Sequence, residues 1–364
     1  MHKILAVFGT RPEAIKMCPV VRELRKRAGV QVLVCLSGQH RQMLDSVMER
    51  FGIKADFDLG VMREGQTLFD LTQSILSNVR SVLESAKPDV VLVHGDTATA
   101  HAAALAAFYM KIPVGHIEAG LRTYDASAPY PEEFFRRAIS VMAKFHFAPT
   151  AAAAENLIRE GIDNESVFVT GNTIIDALLS NVNEDFRHGI LDWAQDSRLV
   201  ILTAHRRESV GEPLGNMLRA VRRVLDENSG VKVVYPVHLN PEIRRIATQL
   251  LSDCEQALLT EPLDVFDFHN ILSRSFAVLT DSGGIQEEAS FLGKPTLVMR
   301  AATERPEGVS GGVLKLVGTR EDDIYRCFRQ LIADAQFYKK MSVPSEAFGN
   351  GGASVKIADI LLKK

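Results

Sequence analysis

Short apolar runs rich in β-branched residues recur along the chain, and amphipathic stretches with helical spacing separate them. Ile4–Phe8, Val30–Leu36, Val90–His94, Val114–Glu118 and Val167–Thr170 have the strand pattern, while Glu13–Arg27, Gln39–Phe51, Leu68–Ser85, Thr97–Tyr109 and Ala151–Arg159 have the helical one. Near-continuous apolar strands alternating with helices predict a parallel sheet covered on both faces. After Gly171-Asn172-Thr173 a further helix gives way to a polar stretch over 183–197, where the pattern places a linker. The alternation restarts with Leu199–Thr203, Val231–Tyr235, Ala257–Leu259, Ala277–Thr280 and Thr296–Met299. The fold class that follows is α/β: two Rossmann-like, doubly wound parallel-sheet domains with a ligand cleft between them. Residues 1–172 form the first domain and 173–352 the second, and a last helix at about 353–364 is expected to return to the first.

Within that pattern one stretch combines several signals. Ala277-Val278-Leu279-Thr280 is a strand that runs into Asp281-Ser282-Gly283-Gly284 and then directly into a helix. Ser282 can cap that helix, and two glycines without side chains let a ligand approach the backbone N–H groups. Unpaired N–H groups at the positive end of a helix dipole suit a phosphate. Glu288, six residues on, would repel a phosphate and is better placed to accept hydrogen bonds from sugar hydroxyls. A capped strand–helix turn with nothing bound explains the stretch equally well.

Other polar residues collect just after strands. Arg11 and Lys16 follow the first, His94-Gly95-Asp96-Thr97 follows another, and Glu118-Ala119-Gly120-Leu121-Arg122 ends a third. Ala128-Pro129-Tyr130-Pro131 presents Glu132 and Glu133 at a helix start, and Ala204-His205-Arg206-Arg207-Glu208 follows a strand of the second half. Each has a plain structural explanation: Asp96 as a helix cap, Glu132 and Glu133 as complements of a helix dipole, Arg11 and Lys16 as a solvated face. His238 reads as structural. Together, carboxylates on one set of strand ends and a basic, glycine-lined turn on the other suggest chemistry on a nucleoside diphosphate sugar. Arg11, Lys16 and His205 would stabilise charge on a departing diphosphate, and the carboxylates would move protons or support a cationic sugar.

Composition narrows the partners. Of the 364 residues 46% are hydrophobic and 24% charged, a globular balance, and the net charge of −3 gives no basic face for nucleic acid. No apolar run is long enough to cross a bilayer. Met1-His2-Lys3-Ile4-Leu5 enters a strand with no signal-peptide pattern, which leads us to expect a cytoplasmic protein. Cys18, Cys35, Cys254 and Cys327 are scattered, with neither a disulfide framework nor a zinc site indicated. The glycines of a dinucleotide fingerprint are missing after the first strand, which argues against NAD.

On these residues the chain resembles the non-hydrolysing UDP-N-acetylglucosamine 2-epimerases over nearly its whole length. The motifs that carry the resemblance are Phe8-Gly9-Thr10-Arg11-Pro12-Glu13-Ala14-Ile15-Lys16, His94-Gly95-Asp96-Thr97, residues 115–123, Gly171-Asn172-Thr173-Ile174-Ile175-Asp176, His205-Arg206-Arg207-Glu208, residues 280–289 and Thr303-Glu304-Arg305-Pro306-Glu307. The resemblance implies a glycosyltransferase-B-like arrangement, usually a homodimer, using neither NAD nor metal. It implies interconversion of UDP-GlcNAc and UDP-ManNAc for surface-polysaccharide synthesis, by elimination of UDP to 2-acetamidoglucal and readdition. By position it implies that Asp96, Glu118 and Glu132 are the acid/base group, with Lys16 and His205 serving the diphosphate and the catalytic centre. Arg11, Ser282, Gly283, Gly284, Glu288 and Arg305 look like UDP ligands, with Phe268 and the backbone near Leu263 at the uracil end. Gln39, His40 and Gln42 match a site at which some bacterial relatives take a second UDP-GlcNAc as activator; an Arg of that site is Gly65 here, which leaves activation open. Two departures stand out: Phe135 where the family has Asn, and Ala301 where it has Asp. A hydrolysing 2-epimerase, a glycosyltransferase of the same architecture and a UDP-sugar-binding regulator are the alternatives.

Overall fold

A computed structural model of the chain describes every residue except Gln39, His40, Glu64, Arg207, Glu208, Glu304 and Lys364, and leaves aside the side chains of Arg41, Gln42 and Met43. The expected activator residues Gln39 and His40, and the side chain of Gln42, therefore lie outside the described residues. The chain divides into two compact units: Met1–Ala177 with Phe348–Lys364, and Leu178–Ala347.

In the first unit seven strands form one parallel sheet. In chain order the elements are β1 (His2–Phe8), α1 (Arg11–Arg25), β2 (Val30–Leu36), α2 (Arg41–Arg50), β3 (Phe57–Asp58), α3 (Leu68–Ala86), β4 (Val90–His94), α4 (Ala98–Tyr109), β5 (Val114–Ile117), α5 (Glu132–Met142), β6 (Phe145–Ala148), α6 (Ala151–Arg159), β7 (Val167–Val169) and α7 (Thr173–Asn181). The strand order is β3-β2-β1-β4-β5-β6-β7. The order reverses between β1 and β4, where loops leave opposite faces of the sheet and a crevice opens at the strand C-termini. Leu5, Val7, Val91 and Val93 are fully buried under α3, α4 and α5. Helix α4 carries alanine at most positions and packs against both α3 and α5, because small side chains allow close approach.

The second unit continues with α8 (Gly189–Ala194), β8 (Arg198–Thr203), α9 (Glu212–Glu227), β9 (Val231–Pro236), α10 (Pro241–Leu251), β10 (Ala257–Thr260), α11 (Val265–Arg274), β11 (Ala277–Thr280), α12 (Gly283–Phe291), β12 (Thr296–Val298), α13 (Pro306–Ser310), β13 (Leu314–Leu316), α14 (Glu321–Ala333) and α15 (Ala335–Met341). Its six parallel strands run β10-β9-β8-β11-β12-β13, with the reversal between β8 and β11. The last helix, α16 (Ala353–Lys363), belongs to the first unit, where it packs on α1 and Arg27 meets Asp359 at 3.0 Å.

Two features differ from the sequence pattern. The division falls inside α7, after Ala177, and the return at Phe348, whereas the pattern divides the chain at 172/173 and 352/353. The polar stretch 183–197 is no linker: Phe186, Ile190, Leu191, Trp193 and Ala194 pack into the core of the second unit with Ile201 and Ile271. The short strands β3, β6 and β13 are absent from the pattern: β3 has only two residues, and His146 and Lys315 interrupt the apolar runs of β6 and β13. Phe145-His146-Phe147-Ala148 is a strand because β5 and β7 bond it from both sides.

Candidate functional site

At the switch point of the first unit the turns after β1 and β4 are tied together by Glu13. Thr10 and Glu13 form a capping box at the start of α1, the pairing that a Thr-x-x-Glu spacing allows. Glu13 is 2% exposed, and its Oε2 accepts from Gly9 N (3.0 Å), Thr10 N (2.8 Å) and Thr10 Oγ1 (2.8 Å). Its Oε1 accepts from Thr97 Oγ1 at 2.7 Å, and Thr97 in turn caps α4 through Ala100 N. Burial pushes the Glu13 carboxyl above its ordinary value, against the lowering effect of these hydrogen bonds.

That cap settles the role of its neighbour. Thr97, not Asp96, caps α4, so the Asp96 carboxylate is left for other work. It pairs with Arg136 of α5 at 2.6 Å and keeps 28% of its side chain exposed. Burial raises its pKa, Arg136 opposes that, and the nearby Glu118 and Glu132 add to the rise. Glu133 is fully buried: it accepts from Thr123 N (3.0 Å) and Tyr124 N (3.1 Å) and stands 3.7 Å from Arg136. Of the two glutamates opening α5, Glu133 is thus structural, and Glu132 keeps partial exposure beside Asp96.

Glu118 follows β5 with φ +63°, in the left-handed region that a residue with a Cβ seldom adopts. Such a conformation costs of order 1–3 kcal/mol and persists only where its surroundings impose it. Here they do: Lys16 of α1 ion-pairs with Glu118 Oε2, and Asn172 Nδ2 donates to the same oxygen at 2.7 Å. His94 Nε2 lies 4.0 Å away, its pKa pushed down to about 4 because burial outweighs the pull of Glu118. His116, on β5, is also held neutral by burial, at about 3; its Nε2 donates to Gly95 O (2.7 Å) and fixes the turn that presents Asp96. Lys16, Asp96, Glu118 and Glu132 therefore belong to one electrostatically coupled group, with Arg11 at the first position of α1 on the same rim.

The second unit has its own switch point, organised by Asp281. This residue is fully buried; its Oδ2 accepts from His205 N (2.9 Å) and Arg206 N (3.0 Å), and its Oδ1 stands 3.5 Å from His205 Nδ1. His238 stacks on His205 with ring centroids 5.8 Å apart, besides accepting from Asn240 N. Thr280 Oγ1 bonds Thr203 across the two strands (2.6 Å) and accepts from Ser282 N (2.9 Å). Ser282 occupies the N-cap of α12, but its hydroxyl makes no capping bond, contrary to the sequence expectation. The turn is held by Thr280 and Asp281 instead, so the N–H groups at the start of α12 have no side-chain cap. A Cβ on Gly283 would lie 2.9 Å from Arg305 Nη1, so the guanidinium sits directly over that glycine. Arg305 is oriented by Glu287, which accepts from Nε at 2.8 Å. Gly284 has open space around it. An N-terminus without a side-chain cap beneath an arginine can hold a diphosphate.

Glu288 is 6% exposed, with His269 against Oε1 at 3.2 Å and a buried Oε2 that has no hydrogen-bond partner among the described residues. That oxygen is an acceptor awaiting a donor such as a hydroxyl. Leu263 and Phe268 are both partly buried against the same apolar cluster. Phe135 is buried in the core of the first unit with its ring stacked on His101 (4.7 Å), and Ala301 is exposed. Among the described residues no group of three His, Cys, Asp or Glu is placed to hold a metal, and no helix is long and apolar enough to cross a membrane.

Sequence reasoning left Glu13, Arg136, Asn172 and Asp281 without roles. Only Glu13 carried a readable signal, the capping-box spacing. The others act through partners far away in the chain.

Two doubly wound parallel sheets in one chain, with coupled carboxylates at one switch point and a glycine-lined helix start at the other, define a glycosyltransferase-B-like protein. The family profile for UDP-N-acetylglucosamine 2-epimerase matches residues 22–362. A UDP-N-acetylglucosamine 2-epimerase of Bacillus subtilis is 51% identical over 360 residues, covering 99% of this chain and 95% of its own. The crystal structure of a UDP-GlcNAc 2-epimerase from Neisseria meningitidis bound to UDP-GlcNAc is similar with TM-score 0.94 and 47% identity, over 100% of both chains. An S. aureus MnaA–UDP complex gives TM-score 0.94 at 46% identity, over 99% of this chain and 96% of the other. The chain belongs to the UDP-N-acetylglucosamine 2-epimerase family.

Proposed function

We propose that the protein is a non-hydrolysing UDP-GlcNAc 2-epimerase, an isomerase that interconverts UDP-GlcNAc and UDP-ManNAc for surface-polysaccharide precursors. The observation that carries this reading is the Glu118 cluster: a carboxylate in a strained backbone, paired with Lys16 and beside Asp96, in a chain of this family.

The hydrogen on C2 is not next to a carbonyl, so it must first be made acidic. The anomeric C1–O bond breaks, its electron pair leaves on the diphosphate, and the oxocarbenium-like centre acidifies that hydrogen. A carboxylate takes the proton and a C1=C2 double bond forms, giving 2-acetamidoglucal and UDP. A second group protonates C2 on the opposite face while the diphosphate oxygen adds back to C1. Asp96, Glu118 and Glu132 are the proton-transfer residues in this reading, and Lys16 and His205 serve the diphosphate and the catalytic centre. Arg11, Ser282, Gly283, Gly284 and Arg305 bind the diphosphate. Glu288 accepts from sugar hydroxyls, with Leu263 and Phe268 at the uracil. The protein works in the cytoplasm as a homodimer, as its family resemblance implies; light scattering of the purified chain tests the dimer.

Incubation with UDP-GlcNAc alone in deuterated water, followed by NMR, tests the reaction. UDP-ManNAc with deuterium at C2 is expected. Free ManNAc would indicate the hydrolysing reaction, C2 left unlabelled a transferase lacking its acceptor, and no change at all a binding protein. Asp96→Asn and Glu118→Gln should each abolish turnover while UDP still binds; near-normal rates in both would overturn the assigned roles.

A further inference from the structure

Both passages of the chain between the units run beside Asn172. The residue lies at the start of α7, within which the chain enters the second unit, and its backbone N–H donates to the carbonyl of Phe348, where the chain returns, at 2.7 Å. Next to it Gly171 and Gly349 approach so closely that a Cβ on Gly349 would lie 2.9 Å from Gly171 Cα. The Asn172 side chain is buried, and its Oδ1 accepts from Ile174 N at 3.2 Å. With the oxygen committed to the helix start, the NH2 is the end turned toward Glu118, where it donates to Oε2 at 2.7 Å. A flipped amide would set oxygen against carboxylate and NH2 against N–H, so the bonds themselves fix its orientation.

Among the described residues, charged and titratable groups facing Glu118 include Lys16 from α1, His94 from β4 and Asp96 from the following turn, with Glu132 and Arg136 of α5 acting on Asp96 at one remove. Lys16 supplies charge. Asn172 supplies a neutral, directional donor whose position is set by its bonds to Phe348 O and Ile174 N.

We propose that Asn172 is the positioning residue for Glu118, holding its carboxylate at one orientation and tying it to both chain passages between the units. The proposal rests on the reading of Glu118 as a proton-transfer group. A carboxylate whose ionised form is hydrogen-bonded is ready to accept a proton from a fixed direction, and a misdirected one loses rate without losing nucleotide.

Asn172→Asp tests this, because the aspartate keeps the bonds to Phe348 O and Ile174 N but sets a second carboxylate against Glu118. The expected result is that kcat falls by about tenfold to a hundredfold, the range a lost charge-assisted hydrogen bond gives. The limb of the kcat/KM profile governed by Glu118 should move to higher pH by about one unit in both directions of the reaction, since like charges disfavour ionisation. UDP affinity should stay within about twofold. Asn172→Ser can still accept from Ile174 N but donates less far, so it should lower kcat with UDP binding intact even if the aspartate variant fails to fold. An unchanged pH profile in Asn172→Asp, or losses in both variants that simply follow lost UDP binding, would overturn the proposal. Absence of epimerisation by the wild-type protein would instead refute the proposed function.

Discussion

Glu13 is the residue whose loss should disturb the first switch point most, and its effect can be worked from its bonds. Glu13→Ala removes one acceptor oxygen shared by Gly9 N, Thr10 N and Thr10 Oγ1 and another that holds Thr97 Oγ1. The capping box is worth about 1 kcal/mol, the buried Gly9 N–H left unpaired costs about 1–3 kcal/mol, and the lost link to Thr97 adds about 1 kcal/mol. Against this, deleting a buried carboxylate relieves the desolvation that raises its pKa. The net destabilisation should be about 2–4 kcal/mol, a fall of roughly 5–12 °C in the thermal transition of a unit this size. Glu13→Gln keeps an amide oxygen for Gly9 and Thr10 and places an NH2 near the Thr97 hydroxyl, so it should cost only about 1–2 kcal/mol. The raised carboxyl also makes a pH prediction. The folded protein holds this proton more tightly than the unfolded chain, so its contribution is fullest below the ordinary value of 4.5 and is lost as pH rises through the folded one. Calorimetry of wild type and both variants from mildly acidic to neutral pH should show that slope in the wild type and its reduction in Glu13→Gln. A cost below about 1 kcal/mol for Glu13→Ala, or equal costs for both variants, would refute the reasoning.

Other expectations concern the site. Arg136→Met removes the cation that opposes the raised pKa of Asp96, so the limb of the pH–rate profile governed by Asp96 should move up by about 1–2 units. A profile identical to the wild type would show that Asp96 does not titrate in turnover. Gly283→Ala sets a methyl against Nη1 at the far end of the Arg305 side chain rather than against backbone, so folding should be preserved. Calorimetric titration should then find UDP binding weakened by about tenfold, roughly one charge-assisted hydrogen bond; wild-type affinity would remove Gly283 from the diphosphate site.

The hydrophobic pattern alone determined the two parallel sheets and which loops leave their C-terminal rims. It could do so because short apolar strands alternating with amphipathic helices leave few other ways to bury both faces of a sheet. The candidate residues Asp96, Glu118, Ser282 and Gly283 stood out in the sequence for the same reason, since each follows within three residues of a strand end. What only the tertiary structure decided is how those residues are held. Asp96 is released from capping because Thr97 takes that position, and Arg136 reaches it from 40 residues away. Asn172 meets Glu118 across 54 positions, and Asp281 meets His205 across 76. The membership of the stretch 183–197 in the second core was decided in the same way, by Trp193 and Ile190 finding partners far along the chain. A sequence pattern reports what a residue and its near neighbours prefer, whereas a hydrogen bond between distant segments depends on where the whole sheet brings their ends together.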